Sequence, residues 1–312
     1  MTSRLLRSSI VIALAMAPAL GGQSAPQRTP DGHPDLQGVW DYSTITPLER
    51  PKEFARKKVF TKAEADAFSR STVKRAFDDM SELEQKVNAD IVGDLATVEQ
   101  GPLDPSLRTS LIVDPPDGKI PPLTRKAKAR MSARAMAKKL PPDGPEMLNF
   151  STRCLPDVAG PPLFPGSFNS YVQIVQTDDY LMIETEMIHD ARIIPLDGRP
   201  HVPKAIREWN GDSRGWWEGD TLVIETTNYR SKNAMPESTD ALQVVERLTR
   251  GSDRSLLYEF TVTDPTAFRK PWSAAYTLRR TDAQMYEFAC HEGNYSIVGM
   301  LRGARALDRQ KP

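Results

Sequence analysis

The feature that most restricts the fold is a succession of short runs rich in β-branched and aromatic residues in the second half of the chain. They occupy residues 171–176, 180–187, 191–195, 221–227, 242–250, 255–263, 272–281 and 285–290. Turn formers separate them: Asp178-Asp179, Asp197-Gly198, Glu218-Gly219-Asp220, Gly251-Ser252-Asp253 and Thr281-Asp282. A parallel crossover needs a dozen or more residues, commonly a helix, and these intervals leave no regular room for such helices. The pattern therefore predicts an antiparallel meander, either a β-barrel or a strongly curled sheet. No glycine-rich phosphate loop accompanies it, so a nucleotide-binding α/β sheet is excluded.

The preceding region, residues 35–150, reads as largely helical and contributes one or two strands. Thr61-Lys62-Ala63-Glu64 is a capping box, in which the threonine hydroxyl and the glutamate each bond the other's backbone N–H. After it, Val73, Ala76, Phe77, Met80, Leu83, Val87 and Ile91 recur at three- and four-residue spacing, an amphipathic helix. A second helix is predicted over residues 123–140, with Arg125, Lys126, Lys128, Arg130, Arg134, Lys138 and Lys139 on a solvated face set against the acidic stretch 78–99. Residues 109–114 read as a strand entering the turn Pro115-Pro116-Asp117-Gly118, and residues 36–42 as another. With a closing helix over 294–306, the fold class is mainly β, α+β overall: a helical N-terminal part packed on a barrel-like domain spanning 151–312.

At the N-terminus, Arg4 and Arg7 precede an apolar run over 10–20 and then small residues, the pattern of a signal peptide over 1–22. Residues 23–34 read as a flexible tether. Export places the protein in the periplasm or outside the cell, where Cys154 and Cys290, the only two cysteines, can pair. The 41 basic side chains match the 41 acidic ones, so nothing favours nucleic acid as a partner. Beyond the leader no apolar run approaches the roughly 20 residues of a transmembrane helix. Nothing in the sequence specifies an oligomeric state.

Strand alternation from Leu181 to Ile193 puts His189 on the face of Leu181, Ile183, Thr185, Met187, Ala191 and Ile193. It is the imidazole on an apolar face, either hydrogen-bonded in a core or catalytic in a pocket. Alternation over 285–291 places Met285, Glu287, Ala289 and His291 together, and the disulfide would fix the backbone beside His291 and Glu292. If they converge, His189 and His291 form an acid/base pair, with Glu292 as a second proton donor and Arg192 or Arg207 stabilising developing negative charge. The alternative is a zinc or iron site built from His189, His201 and His291; no H-E-x-x-H or H-x-H spacing supports it, and no cofactor is predicted. Trp216 and Trp217, beside Arg214, are either a stacking surface for a sugar or aromatic ring or parts of a glycine-rich loop leading into a hairpin.

Thr29-Pro30-Asp31-Gly32-His33-Pro34-Asp35-Leu36-Gln37-Gly38-Val39-Trp40, Asp197-Gly198-Arg199-Pro200-His201, the segment from Gly211-Asp212-Ser213-Arg214-Gly215-Trp216-Trp217 to Val223, and Cys290-His291-Glu292-Gly293-Asn294-Tyr295 carry a resemblance. Over nearly all the chain beyond the leader it resembles a family of secreted, largely uncharacterised proteins of environmental bacteria. The resemblance implies export and a common fold, and it carries over no catalytic residue. Gly38-Val39-Trp40 separately resembles the G-x-W at the first strand of lipocalin-like barrels.

The expectation is thus an exported small-molecule enzyme, a hydrolase, lyase or isomerase acting on a carbohydrate-like or aromatic substrate. Its catalytic residues would be His189, His291, Glu292 and Arg192, and its substrate-binding residues Arg207, Arg214, Trp216 and Trp217. The alternative is a non-catalytic, lipocalin-like periplasmic protein that binds a small molecule in the same pocket.

Overall fold

A computed structural model describes residues 27–78, 101–137, 141–149, 151–155, 160–166, 169–230 and 237–310. The predicted leader lies outside them, as do the acidic stretch 79–99 with the end of the first predicted helix and residues 138–140 of the second. The elements are β1 (Gly38–Asp41), α1 (Lys62–Asp78), β2 (Ile112–Asp114), α2 (Arg125–Ala137), β3 (Tyr171–Gln176), β4 (Tyr180–Thr185), β5 (Ala191–Pro195), β6 (Asp212–Glu218), β7 (Thr221–Thr227), β8 (Gln243–Ser252), β9 (Ser255–Thr263), β10 (Trp272–Thr281) and α3 (Ser296–Asp308). No described helix is long and apolar enough to cross a membrane.

The strands form one antiparallel sheet ordered β5-β4-β3-β1-β10-β9-β8-β7-β6, with β2 added beside β10. The fold is mainly β with a strongly curled sheet, as the turn-punctuated pattern predicts. Curling brings the two ends of the path side by side: β5 runs next to β6 without a hydrogen-bonded ladder between them. Gly215 of β6 makes this approach possible, since a Cβ there would lie 2.6 Å from Leu196 and 3.2 Å from Ile194.

Alternation fills the concave side. Val244 and Leu248 of β8, Leu256, Tyr258, Phe260 and Val262 of β9, and Trp272, Ala274, Tyr276 and Leu278 of β10 are all buried there, and they join Trp40, Val172, Ile174, Leu181 and Ile183 in one core. Residues 160–163 are buried in this interior too. Three tyrosine hydroxyls bind this segment: Leu163 N donates to Tyr258 at 3.0 Å, Tyr276 donates to the Leu163 carbonyl at 2.8 Å, and Tyr229 to the Pro161 carbonyl at 3.3 Å. Replacing Tyr258 by Phe strands the Leu163 N–H in the core, and urea unfolding is expected to show a loss of about 1–3 kcal/mol.

The end of the curled sheet at the β6–β7 turn is covered by residues that the sequence places in the tether. The Arg28 guanidinium forms a two-pronged pair with Asp220, and the His33 ring stacks on Trp217 with centroids 4.5 Å apart. Arg250 lies 4.8 Å over the Trp40 ring and donates to the Asp35 carbonyl.

The capping box forms as read, with Thr61 N donating to Glu64 Oε2 at 2.8 Å. Cys154 and Cys290 are joined, with Cα atoms 5.6 Å apart. Three local expectations differ. Residues 212–218, expected as a loop, are strand β6; residues 285–290, expected as a strand, lie outside any ladder; and the run expected over 180–187 stops at Thr185, where a 3-10 turn over Met187–His189 intervenes.

Candidate functional site

That turn rearranges the residues around His189. Ile188 and His189 both take positive φ, 67° and 54°. The left-handed region costs an L-residue roughly 1–2 kcal/mol, and β-branched side chains tolerate it worst. His189 therefore does not continue the apolar face of β4. Its Nε2 lies 3.4 Å from Glu184 Oε1, while Nδ1 is buried and bonded to no described residue. Ile188→Asn is expected to raise stability by about 1 kcal/mol, read as a higher urea midpoint, because Asn adopts this conformation readily.

Below the contact of Gly215 with β5, the seam opens into a cleft of about 630 Å³, at the end of the sheet opposite the His33–Trp217 cover. Ala191, Arg192 and Ile193 of β5 form one wall and Asp212 and Ser213 of β6 the other, with Arg207, Trp209 and Arg230 across the end. Gly211 admits the turn into β6: its φ is +69° and a Cβ would meet the Thr227 carbonyl at 2.5 Å. Such a volume falls within the range of small-molecule sites.

Arg192 forms the floor and reaches through it. Its two terminal nitrogens bind both oxygens of Glu246 at 2.5 and 2.9 Å, and Tyr258 donates to the same carboxylate at 2.8 Å. The Glu246 side chain is 0% exposed and that of Arg192 10%. Burial alone would lower the Arg192 pKa; the charge and hydrogen bonds of Glu246 outweigh it and raise the pKa above the ordinary value. Burial and the charge of Glu246 push the Tyr229 and Tyr258 phenols well above their usual range, which keeps both as donors.

The cleft's charged groups divide by partner. Asp190 is bonded by Asn210, and Asp212 by His201 at 2.7 Å and Arg214 at 2.6 Å. Among the described residues the hydrogen bonds of Arg207 and Arg230 go instead to backbone carbonyls, Arg207 to Asp240 and Tyr229 and Arg230 to Arg207, and the Asp240 carboxylate lies 3.9 Å from Arg207. The Arg230 guanidinium lies 5.4 Å over the Trp209 ring.

No protein-family model matches the chain, and no match was found among the curated proteins. The assignment of a site therefore rests on geometry.

Of the residues singled out in the sequence, Arg192 and Arg207 border the cleft. Arg214 lies near it through Asp212, its Nε donating to the Pro200 carbonyl at 3.0 Å. Trp216 and Trp217 sit on opposite faces of β6, Trp216 38% exposed and bonded to Glu218, Trp217 under His33. His201 is held at both ring nitrogens, by Asp212 and by Glu225 at 3.1 Å. His291 and Glu292 are exposed in the turn after Cys290, and among the described residues no hydrogen bond, ion pair or ring contact links His291 to His189. Among the described residues no group of three or more His, Cys, Asp or Glu side chains is arranged to hold a metal ion. Glu246 escaped the sequence reading although its signal was present: in Val244-x-Glu246-x-Leu248 it is the lone carboxylate on a buried face.

Proposed function

We propose that this chain is an exported binding protein that takes a small ligand in the cleft between β5 and β6. The observation that carries the reading is the cleft itself, open on one side and floored by a guanidinium locked against a buried carboxylate. A locked floor is preorganised, so little side-chain entropy is lost when a ligand settles on it. The concave interior offers less room, being filled by residues 160–163 and the tyrosines that bind them. The predicted leader and the Cys154–Cys290 bond support a periplasmic or secreted location.

A second reading keeps the enzyme. The Nδ1 of His189, bonded to no described residue, and the nearby Glu184 favour acid/base chemistry near the same cleft, with Glu184 rather than His291 or Glu292 as the partner of His189. Both readings need the cleft, and one variant tests it. Ala191→Trp puts a large side chain into the cleft at an exposed edge and is expected to weaken binding of any co-purifying ligand, followed by native mass spectrometry, at least tenfold. A ligand that stays bound with unchanged occupancy places the site elsewhere.

A further inference from the structure

The seam has a property that a simple small-molecule cleft does not need: its walls are unpaired strand edges. Thr185 N donates to the Asp190 carbonyl and Leu196 N to that of Asp179. In an antiparallel pair, hydrogen-bonded and non-hydrogen-bonded positions alternate. Ile183↔Arg192 and Leu181↔Ile194 are then the bonded pairs, while Glu184↔Ala191 and Met182↔Ile193 are not. The backbone N–H and C=O of Ala191 and Ile193 thus turn away from β4 and into the cleft, and among the described residues neither has a main-chain partner there. Further along β5 the next such position is Pro195, which has no N–H, so the edge is blunted beyond the cleft and open within it.

The path from β5 to β6 contains nine strands joined by antiparallel steps, so its two terminal strands run the same way. They cannot complete the antiparallel ladder with each other. One further strand, antiparallel to both, would.

Direction and charge narrow the occupant. β5 and β6 both begin at the cleft end, so a segment antiparallel to them finishes there, with its C-terminus beside Arg207 and Arg230; among the described residues Arg230 is hydrogen-bonded to a backbone carbonyl and pairs with no carboxylate, while Arg207 has the Asp240 carboxylate only at 3.9 Å. A terminal carboxylate complements that pair. Ile193, 56% exposed, and Trp209 supply apolar contact for side chains on either side of it.

We propose that the ligand is the extended C-terminal end of a polypeptide, added to the Ala191–Ile193 edge of β5 as an antiparallel strand with its terminal carboxylate on Arg207 and Arg230. This rests on the cleft being the binding site and names its ligand class. The test uses the ¹⁵N-labelled, disulfide-bonded protein and two equimolar pools of pentapeptides randomised at every position, one with free C-termini and one amidated. The free-acid pool should shift the Ala191 and Ile193 amides, and amidation should weaken the apparent affinity at least tenfold. Arg230→Gln should weaken the free-acid response at least tenfold, and Ile193→Pro, which removes an edge donor at a position where a strand accepts proline, should abolish it. Absence of shifts, an equal response to both pools, or shifts confined to other surfaces overturns the proposal. A mixture of non-peptide organic fragments run in parallel separates the two levels. If fragments shift cleft amides and peptides do not, the peptide assignment falls and the cleft stands; if neither does, both fall.

Discussion

Glu246→Ala is expected to lower the free energy of unfolding by about 3–5 kcal/mol, the largest effect of any single substitution considered for this chain. The carboxylate is fully buried and accepts from both terminal nitrogens of Arg192 and from the Tyr258 hydroxyl. Its removal leaves the largely buried Arg192 guanidinium without the carboxylate that binds both its terminal nitrogens. Much of the loss is the cost of stranding Arg192 rather than the net worth of the pair. The double variant Arg192→Met, Glu246→Met should therefore be considerably more stable than Glu246→Ala, since an apolar pair of similar volume often replaces a buried ion pair at little cost. Urea unfolding of the wild type, Glu246→Ala and the double variant checks the claim. A Glu246→Ala loss below about 1 kcal/mol, the range of exposed pairs, would show that the pair is not buried as described.

The Cys154→Ala, Cys290→Ala variant carries the second large effect. The disulfide closes a loop of 136 residues, and the chain-entropy treatment gives about 5 kcal/mol for a loop of that length, against about 2–5 kcal/mol for removal of native disulfides. The bond also holds the chain leading from β10 to α3 against residues 151–155, where Asn294 donates to the Thr152 carbonyl at 2.9 Å. The same tie lies just before the 160–163 segment in the interior. Unfolding of the double variant, compared with the oxidised and the reduced wild-type protein, should place reduced wild type and variant together, both well below the oxidised protein. Equal midpoints for all three would mean that the tie contributes nothing.

The β-rich half was legible because its strands alternate over a shared core, and the departures have local causes. β6 looks like a loop in the sequence because its inward positions begin with Ser213 and Gly215, the glycine lying where Ile194 and Leu196 approach, so the apolar alternation that marks a strand is missing. Residues 285–290 do alternate, but they follow β10, which is already paired along both edges by β9, β1 and β2, and without a neighbouring strand of their own the alternation has no ladder to form. The misplacement of His189 follows from the left-handed Ile188, a conformation that β-branched residues seldom adopt and that no propensity foresees. Glu246 was within reach of the same period-two reading that singled out His189. The cleft was not, because it is made by the meeting of β5 with β6, strands at opposite ends of the sheet path whose proximity depends on the curl of the whole sheet.

The most direct test of the cleft as the binding site is to map amide shifts in the ¹⁵N-labelled protein on addition of chemically diverse organic fragments. Shifts clustered on residues 188–193, 207–213 and 230 are the predicted result. Shifts clustered instead around Trp216, or around His291 and Glu292, would contradict it and move the site to the outer face of β6 or to the disulfide-linked turn.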